Sequence, residues 1–600
     1  MLNVVLTSSW KKALQAAGEN IAGQRWALVD RELGDHDAFV RKGITIVALE
    51  TVLAQNEALL EKEYINNVAE LSYLDSVAWW ANSLSEKNEH LSTFYRRLCF
   101  YFGATQILLK FKDQQGLFFV VADNDIIQSL SVFCRENNFR VRLLDSYWLA
   151  QVNALRVRAW EILKILRYLG RTLVRKIFLG GIVDSQRLTD KEVYAVRTWL
   201  DRRFLERDLL RQDAYFGRLP AFLKDKGQNV IFIVGILDKF CEVIRDIKQN
   251  KQTLIIPEEY FLNLRDFLFV IGCLLNGRLQ IKNKIFFGGV ETTDFYREEL
   301  CRGRLNESFV RNVLSYQIAR RFTKQLKLKT YIQTFENFAW EKLTVRGIKS
   351  VNTQIPILGF QHAFISRNSF KYFPGVAEKN SIPLPTKIIT MGKRTKAILE
   401  RYGCYNGQTQ LIEGCALRQE YIGKEGVLAR KIHRQVLIPL TMVKEEVSLT
   451  LDFLAQARLG QAKIKVLIRP HPATSFEQFI TEKYLARYDY MTVSREGLQR
   501  ELQNVDTVLY TWSTVAVEAL KLGLPIVYLD ILRPMYVDPL FECDSLKRRV
   551  SDPAKLVPVI ESIYAMNESD FFREQTAAQN YLQDYFGPVD EHSLATFLVN

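Results

Sequence analysis

Two stretches in the last third of the sequence carry side chains suited to holding a phosphate. Residues 464–468 (Ile-Lys-Val-Leu-Ile) read as a buried strand and run into Arg469-Pro470-His471-Pro472. Two prolines around a histidine end the strand and stiffen the loop. Arg469 and His471 then stand at the carboxyl end of a strand, where open α/β sheets bind ligands. Further on, residues 505–514 read as a strand and a hydroxyl-rich turn, 515–522 as a helix, and Gly523-Leu-Pro525 as a tight turn. Ser513 or Thr514 becomes the helix N-cap. The free amides and the helix dipole there favour an anion. Glu518, one turn inside, is placed to reach a ribose hydroxyl. Each feature alone has a plainer reading, a capped helix or a stopped strand. Together they predict a nucleotide phosphate surrounded by Arg469, His471, Ser513 and Thr514, with no metal.

These loops need strands to position them. Short apolar runs at 4–7, 45–49, 117–122, 230–235, 285–289, 331–334, 355–360 and 387–391 alternate with helical patterns. A cleaner series follows at 436–440, 465–468, 507–510 and 526–529. Such alternation implies parallel sheets covered by helices on both faces. The polar, basic stretch 423–434 reads as a linker between a domain at 1–422 and one at 423–600. The closing segment is expected to cross back to the first domain.

The Arg-Pro-His-Pro loop followed by the Ser-Thr turn, helix and Gly-x-Pro resembles the nucleotide-binding half of GT-B glycosyltransferases. It is most similar to bacterial capsule and surface-polysaccharide enzymes: sialyl-, polysialyl- and Kdo-transferases, and CDP-glycerol transferases. The resemblance implies that His471, Ser513 and Thr514 contact a cytidine nucleotide. Residues 331–342 (Tyr-Ile-Gln-Thr-Phe-Glu-Asn-Phe-Ala-Trp-Glu-Lys), 359–362 (Gly-Phe-Gln-His), 384–392 and 414–418 follow one another as in surface-carbohydrate (O-antigen cluster) biosynthesis proteins. The match covers about residues 330–530. The sialyltransferase acid-acid-Gly motif is missing: Glu258-Glu259 precedes Tyr260, Glu298-Glu299 precedes Leu300, and Glu445-Glu446 precedes Val447. Glu336 is the substitute base, because it follows a buried strand and should face the cleft. Glu341, inside the next helix, is the rival, read as a surface or pairing residue. Gln361 and His362, after strand 355–360, suit a sugar carboxylate or hydroxyl. Arg418 could reach a donor phosphate or carboxylate, or form a surface ion pair.

The resulting expectation is a GT-B-like α/β chain whose two Rossmann-like domains, with parallel sheets, face a cleft. It would transfer a sugar, on a CMP-activated ulosonic acid donor, to a glycan or lipid-linked acceptor. Glu336 and His471 would be catalytic, and the nucleotide sugar a co-substrate rather than a cofactor. Alternatives are a CDP-glycerol or polyol-phosphate transferase, a nucleotide-sugar 2-epimerase and a non-enzymatic assembly protein.

Composition agrees with an anionic ligand. The 600 residues carry 81 Lys and Arg against 67 Asp and Glu, a net charge of +14. With 48% hydrophobic and 25% charged residues, disordered and disulfide-scaffold classes are excluded. Eight scattered cysteines without CxxC spacing fit reduced thiols rather than structural zinc. Two DxD strings, Asp35-His-Asp37 and Asp123-Asn-Asp125, are set aside as chance patterns. There is no GxSxG, HExxH, GxxxxGK[ST] or GxGxxG. No apolar run approaches the length of a membrane span.

Residues 146–220 read as a basic helical insert. Within 147–179, Val152, Leu155, Ala159, Ile162, Leu166, Leu169, Leu173 and Ile177 recur at helix spacing. Arg156, Arg158, Lys164, Arg167, Arg171, Arg175 and Lys176 accompany one acid, Glu161. Two readings stand side by side, a helix lying in an anionic lipid interface and a core-packed helix with a solvated basic side. The expected location is the cytoplasm, at the inner face of the membrane. No nucleic-acid reader motif accompanies the charge.

Overall fold

The computed structural model describes residues 2–599 apart from 19–23, 31–35, 89–91, 181–190, 201–212, 238, 250–252, 278, 406, 421–425 and 472–487. Three wholly parallel sheets follow one another along the chain. The first contains β1 (Leu2–Thr7), β2 (Arg25–Val29), β3 (Thr45–Ile46), β4 (Gly116–Val121) and β5 (Arg140–Leu143), in the order β3-β2-β4-β1-β5. The second contains β6 (Val193–Leu200), β7 (Val230–Ile236) and β8 (Ile255–Pro257). A hairpin of β9 (Phe286–Phe287) and β10 (Val290–Glu291) interrupts it. It resumes with β11 (Leu328–Thr334), β12 (Ile357–Phe360), β13 (Lys387–Thr390) and β14 (Gln410–Glu413). Its order is β14-β13-β12-β11-β6-β7-β8. The third contains β15 (Gln435–Pro439), β16 (Lys465–Arg469), β17 (Met491–Val493), β18 (Thr507–Tyr510), β19 (Ile526–Leu529) and β20 (Lys547–Val550), ordered β17-β16-β15-β18-β19-β20.

The second and third sheets share one winding. The chain builds three strands outward, returns beside the first and continues the other way. This is the doubly wound Rossmann order, and its ligand crevice lies where the order reverses. The reversal falls between β6 and β11 in the second sheet, and between β15 and β18 in the third. The two Rossmann-like units expected from the sequence are therefore present, in residues 193–413 and 435–550.

The sequence reading of residues 1–422 as one unit is corrected. The first 143 residues form a sheet of their own, which makes two sheets before the linker. One hydrophobic core nevertheless runs from Leu6 and Phe118 in the first sheet, through Ile332 in the second, to Tyr510 and Tyr528 in the third. The 146–220 insert also ends early, where described. Helix α2 (Tyr147–Phe178), which follows α1 (Glu50–Glu70), is present, but β6 is a central strand between β11 and β7. Its sequence, Val-Tyr-Ala-Val-Arg-Thr-Trp-Leu, hides the strand because Arg197 breaks the apolar run. Arg197 stays buried by lying 3.7 Å from the ring of Trp199 and 4.1 Å from that of Trp340, with Glu258 at 3.0 Å.

Helix α4 (Glu307–Gln325) packs on α3 (Leu264–Asn276) and α5 (Ala339–Lys349), and it reaches the second sheet where Phe322 stacks on Tyr331 of β11, as α5 does where Trp340 meets Trp199 of β6. In the third unit, α6 (Leu498–Leu502) and α7 (Val515–Lys521) precede β18 and β19. Helices α8 (Glu568–Tyr585) and α9 (Glu591–Ala595) then return to the second unit. Phe597 packs on Phe360, Tyr585 on Phe364, and Tyr194 donates its hydroxyl to the Val599 carbonyl. The expected crossing back is thus formed. No described helix is long and apolar enough to cross a membrane.

Candidate functional site

The loop after β11 is shaped by a carboxylate two turns of chain away. Glu341, in the first turn of α5, accepts the backbone N–H of Glu336 at 2.9 Å and of Phe338 at 3.1 Å, and the Thr334 hydroxyl at 2.8 Å. Asn337 takes a left-handed φ of 61° and donates from its amide to the Lys371 carbonyl at 2.6 Å. The backbone is so pinned that the Glu336 side chain turns outward at the carboxyl edge, at the point where strand order reverses.

Glu336 meets the loop after β12 there. Its Oε2 lies 2.9 Å from Lys371 Nζ and its Oε1 3.4 Å from His362 Nε2. The side chains of His362 and Lys371 are 3% and 7% exposed and that of Glu336 20%, so Glu336 is the most exposed of the three. The His362 ring meets Tyr215 edge-on at 5.1 Å, and the Arg418 guanidinium lies over the same Tyr215 ring at 5.3 Å. Tyr215 is itself held by Asp213, which accepts its backbone N–H at 2.8 Å.

Electrostatics assign protonation states. Burial pushes the Glu336 pKa up, but Lys371, His362 and Arg418 outweigh it and hold the group below the ordinary carboxylate value. Burial lowers His362 to about 4, helped by Arg418 and Lys371 against the pull of Glu336. Burial, with the charge of Glu336, raises Glu341 to about 8. At neutral pH the site is therefore a carboxylate beside an ammonium and a neutral imidazole, braced by a protonated carboxyl. His362 Nδ1 is buried without a hydrogen-bond partner among the described residues. The arrangement can accept a hydrogen bond from a hydroxyl and hold an anion against Lys371 and Arg418.

Three of the residues singled out from sequence, Glu336, His362 and Arg418, thus come together. Gln361 does not join them. It is fully buried; its Oε1 accepts the Met391 N–H at 3.3 Å and its amide donates to the Ala363 carbonyl. It ties the ends of β12 and β13 rather than facing a substrate. Glu341, read as a surface or pairing residue, is buried and organises the loop. Lys371, Tyr215 and Asp213 were missed: Lys371 sits in Phe-Lys-Tyr with no motif around it, and only the fold brings it to Glu336.

In the third sheet the predicted residues share the carboxyl edge but not one spot. β16, which carries Arg469 and His471, is separated from β18 by β15. Arg469 bonds Glu501 of α6 at 2.6 Å and the Glu496 carbonyl at 3.0 Å, on the β17 side. The expectation that its guanidinium converges with Ser513 on one anion is corrected. Glu501 is almost fully buried, and a buried carboxylate captures the nearest guanidinium. Pro472 lies outside the described residues. Ser513 Oγ accepts the Val515 N–H at 3.3 Å. Thr514, at the cap position, makes no side-chain capping bond and is exposed. Both lie where the third sheet's order reverses. Glu518 is half-buried in the first turn of α7.

The two edges face each other. Asn368, after β12, donates its backbone N–H to the Tyr536 carbonyl at 3.3 Å, and its side-chain oxygen accepts from the Tyr536 N–H. Tyr536 follows β19. Around this seam Arg367 bonds Glu61 at 2.9 Å, Arg533 bonds Glu57 of α1, and Asp530 accepts from Arg533 and Arg549. The aspartates of the second DxD string are also accounted for: Asp123 caps a helix and bonds Arg97 at 2.8 Å, and Asp125 meets Arg97 and Arg302; Asp35 of the first string lies outside the described residues.

No family model matches the sequence, and no curated protein does. Among solved structures the chain is similar to a glycosyltransferase from Rickettsia africae, at 12% identity and a TM-score of 0.37, covering 68% of this chain and 97% of that one. It is similar to Acinetobacter baumannii MurG at 12% identity and 0.37, covering 65% and 95%. It is also similar to the UDP-N-acetylglucosamine 2-epimerase of Rickettsia bellii at 13% identity and 0.34, covering 66% and 96%. At this distance the chain's own topology and side chains must carry the assignment of function.

Proposed function

We propose that the chain is a GT-B-type glycosyltransferase of surface-polysaccharide synthesis that uses a nucleotide sugar, with the acceptor activated on the second sheet and the nucleotide seated on the third. The observation that supports this best is the partly exposed Glu336, held by Lys371 and His362 at the reversal point of the second sheet, with the Ser513–Thr514 turn standing at the reversal point of the third. Open α/β units bind at such points.

In this reading the acceptor hydroxyl donates its hydrogen bond to Glu336. The oxygen attacks the sugar as the carboxylate takes the proton. Lys371 and Arg418 weaken Glu336 as a base in the free protein. An anionic donor placed against them offsets that charge and restores its basicity. Their positive charge and the amides of the 513–515 turn meet the charge growing on the leaving phosphate, a role a metal could otherwise fill. His471, beyond β16, is assigned to the nucleotide side, and Glu518 to the ribose. A sugar carboxylate suits the Arg418–Tyr215–Lys371 surroundings, which favours a CMP-activated ulosonic acid as donor. The basic helix α2 would hold the protein at the inner membrane face, where lipid-linked acceptors lie.

Product analysis with CMP-Kdo, CMP-sialic-type sugars and CDP-glycerol, with and without glycan acceptors, tests this. Glu336→Gln should lower kcat by about 100-fold or more while nucleotide binding, read by calorimetry, is unchanged. Epimerised or free sugar formed without acceptor would overturn transfer. Full activity of Glu336→Gln would overturn the base assignment.

A further inference from the structure

Helix α2 spans 32 residues, about 48 Å at 1.5 Å per residue. It meets the protein body through one narrow side, where Ile165, Thr172 and Leu179 are buried. Tyr168 and Leu169 pack partly against the core beside them, and a set of large apolar side chains points to solvent. Trp148 is 76% exposed, and Val152, Leu155, Trp160, Ile162, Leu163, Leu166 and Ile177 are exposed with it. Most of them recur at three- and four-residue spacing along one side, the stripe whose fate the sequence left open.

A second helix repeats the pattern. In α3 the side chains of Leu264, Leu268, Ile271 and Leu275 follow i, i+4, i+7, i+11 and form one stripe. Leu264 and Leu275 are 68% and 69% exposed. The only acid of α3, Asp266, is buried and bonded to Arg321 at 3.1 Å, so the outer stripe carries no negative charge. The two helices are fastened at one place. Arg175 of α2 bonds Glu259 at 3.0 Å and Lys176 donates to the Tyr260 carbonyl. Those residues form the single turn Glu258–Phe261 that joins the carboxyl end of β8 to α3. Both α2 and α3 also pack on α4. That edge is the one on which Glu336 and His362 stand.

We infer that α2 and α3 together form a docking face for an anionic lipid bilayer, their leucine stripes entering the interface beside the carboxyl edge of the second sheet. This rests on the membrane contact proposed above for α2 and adds α3 to it. Charge chooses the occupant. Arg156, Arg158 and Arg167 are exposed and have no carboxylate partner among the described residues, and the lone acid of α2, Glu161, is bonded to Lys164 at 2.7 Å. A second copy would set this cationic surface against itself, at a cost in like-charge repulsion. An acidic membrane surface attracts each cation while its acyl region takes the leucines. A lipid-linked acceptor would then reach the site without leaving the interface.

Co-sedimentation of the full chain with vesicles tests this, using phosphatidylcholine alone or with about one third phosphatidylglycerol. Wild type should bind the anionic vesicles at least about tenfold more tightly than the neutral ones. Leu268→Ser/Leu275→Ser in α3 and Leu155→Ser/Leu163→Ser in α2 change exposed residues, and circular dichroism should show both folded. Each should weaken binding to anionic vesicles by about tenfold. If the α3 variant binds as wild type while the α2 variant does not, the role of α3 is overturned and the α2 contact stands. Wild type that ignores anionic vesicles overturns both. Equal binding to neutral vesicles overturns the anionic preference. A dimer that either variant splits, seen by sedimentation velocity, assigns the face to a second copy instead.

Discussion

At the scale of single residues, the site is a balance between charge and burial. Glu336 remains ionised because two cations and an imidazole surround it; Glu341 behind it holds its proton because it is buried and faces Glu336. That difference has a pH signature. Glu341 is raised in the folded state from 4.5 to about 8. Below pH 4.5 both folded and unfolded chains hold this proton. As pH rises toward 8 the unfolded chain releases it first, and the stability contribution is lost. Glu341→Gln cannot ionise but can keep the acceptor oxygen for the Glu336 and Phe338 amides. Melting curves should show a smaller fall in Tm between pH 5 and 8 for Glu341→Gln than for wild type; an identical fall would show that Glu341 is ionised in the fold. His362, lowered from 6.5 to about 4, stays neutral in the fold while the unfolded chain takes up its proton below about pH 6.5, so it adds a slope of opposite sign that is common to both proteins and cancels in the comparison. Glu336, His362 and Arg418 were legible in the sequence because each follows an apolar run. Lys371 was not, since a lysine between two aromatics has many ordinary uses and only a fold brings it to a carboxylate.

At the scale of elements, the parallel strands announce themselves where both faces are buried. β7 is apolar through nearly its whole length, and it was read almost to its ends. β6, equally central, was missed because Arg197 is made tolerable by two tryptophans and a glutamate distant in sequence. The turn between α7 and β19 was also legible. Gly523 has φ +80°, and an added Cβ would fall 2.3 Å from Gln575 Nε2 and 2.6 Å from Val427 Cγ1. Gly523→Ala should therefore cost about 1 kcal/mol or more, read as a lower urea midpoint. The start of α7 should be less sensitive. Ser513→Ala removes a single 3.3 Å bond, and about 0.5–1 kcal/mol is expected. A loss in nucleotide affinity well beyond that change would favour the phosphate role proposed for this turn.

For the whole molecule, the returning tail makes the units one body. The third unit begins after the linker, yet its final residues complete the second: Phe597 is fully buried against Phe360, at the end of β12 and next to His362. Phe597→Ala should destabilise the protein by about 3–5 kcal/mol. It should also lower transfer activity through the site it supports, measurable by thermal melting beside a kinetic assay. Unchanged melting would mean that the tail is an appendage. The seam of Arg367, Arg533 and Arg549 with Glu57, Glu61 and Asp530 adds a second tie, between the first sheet's helix α1 and the two edges. No local pattern could have predicted it, because its members come from all three units.

The sequence by itself determined the class of the fold and most of the strands whose ends form its carboxyl edges. Hydrophobic periodicity and turn chemistry are local properties and survive in any one stretch of chain. Tertiary structure alone decided that there are three sheets, that Arg469 is spent on Glu501, that Gln361 is internal, and that the apolar stripe of α2 faces outward. Each of those outcomes depends on which distant side chain arrives first at a buried charge or an apolar face, and that competition is settled only when the sheets are packed.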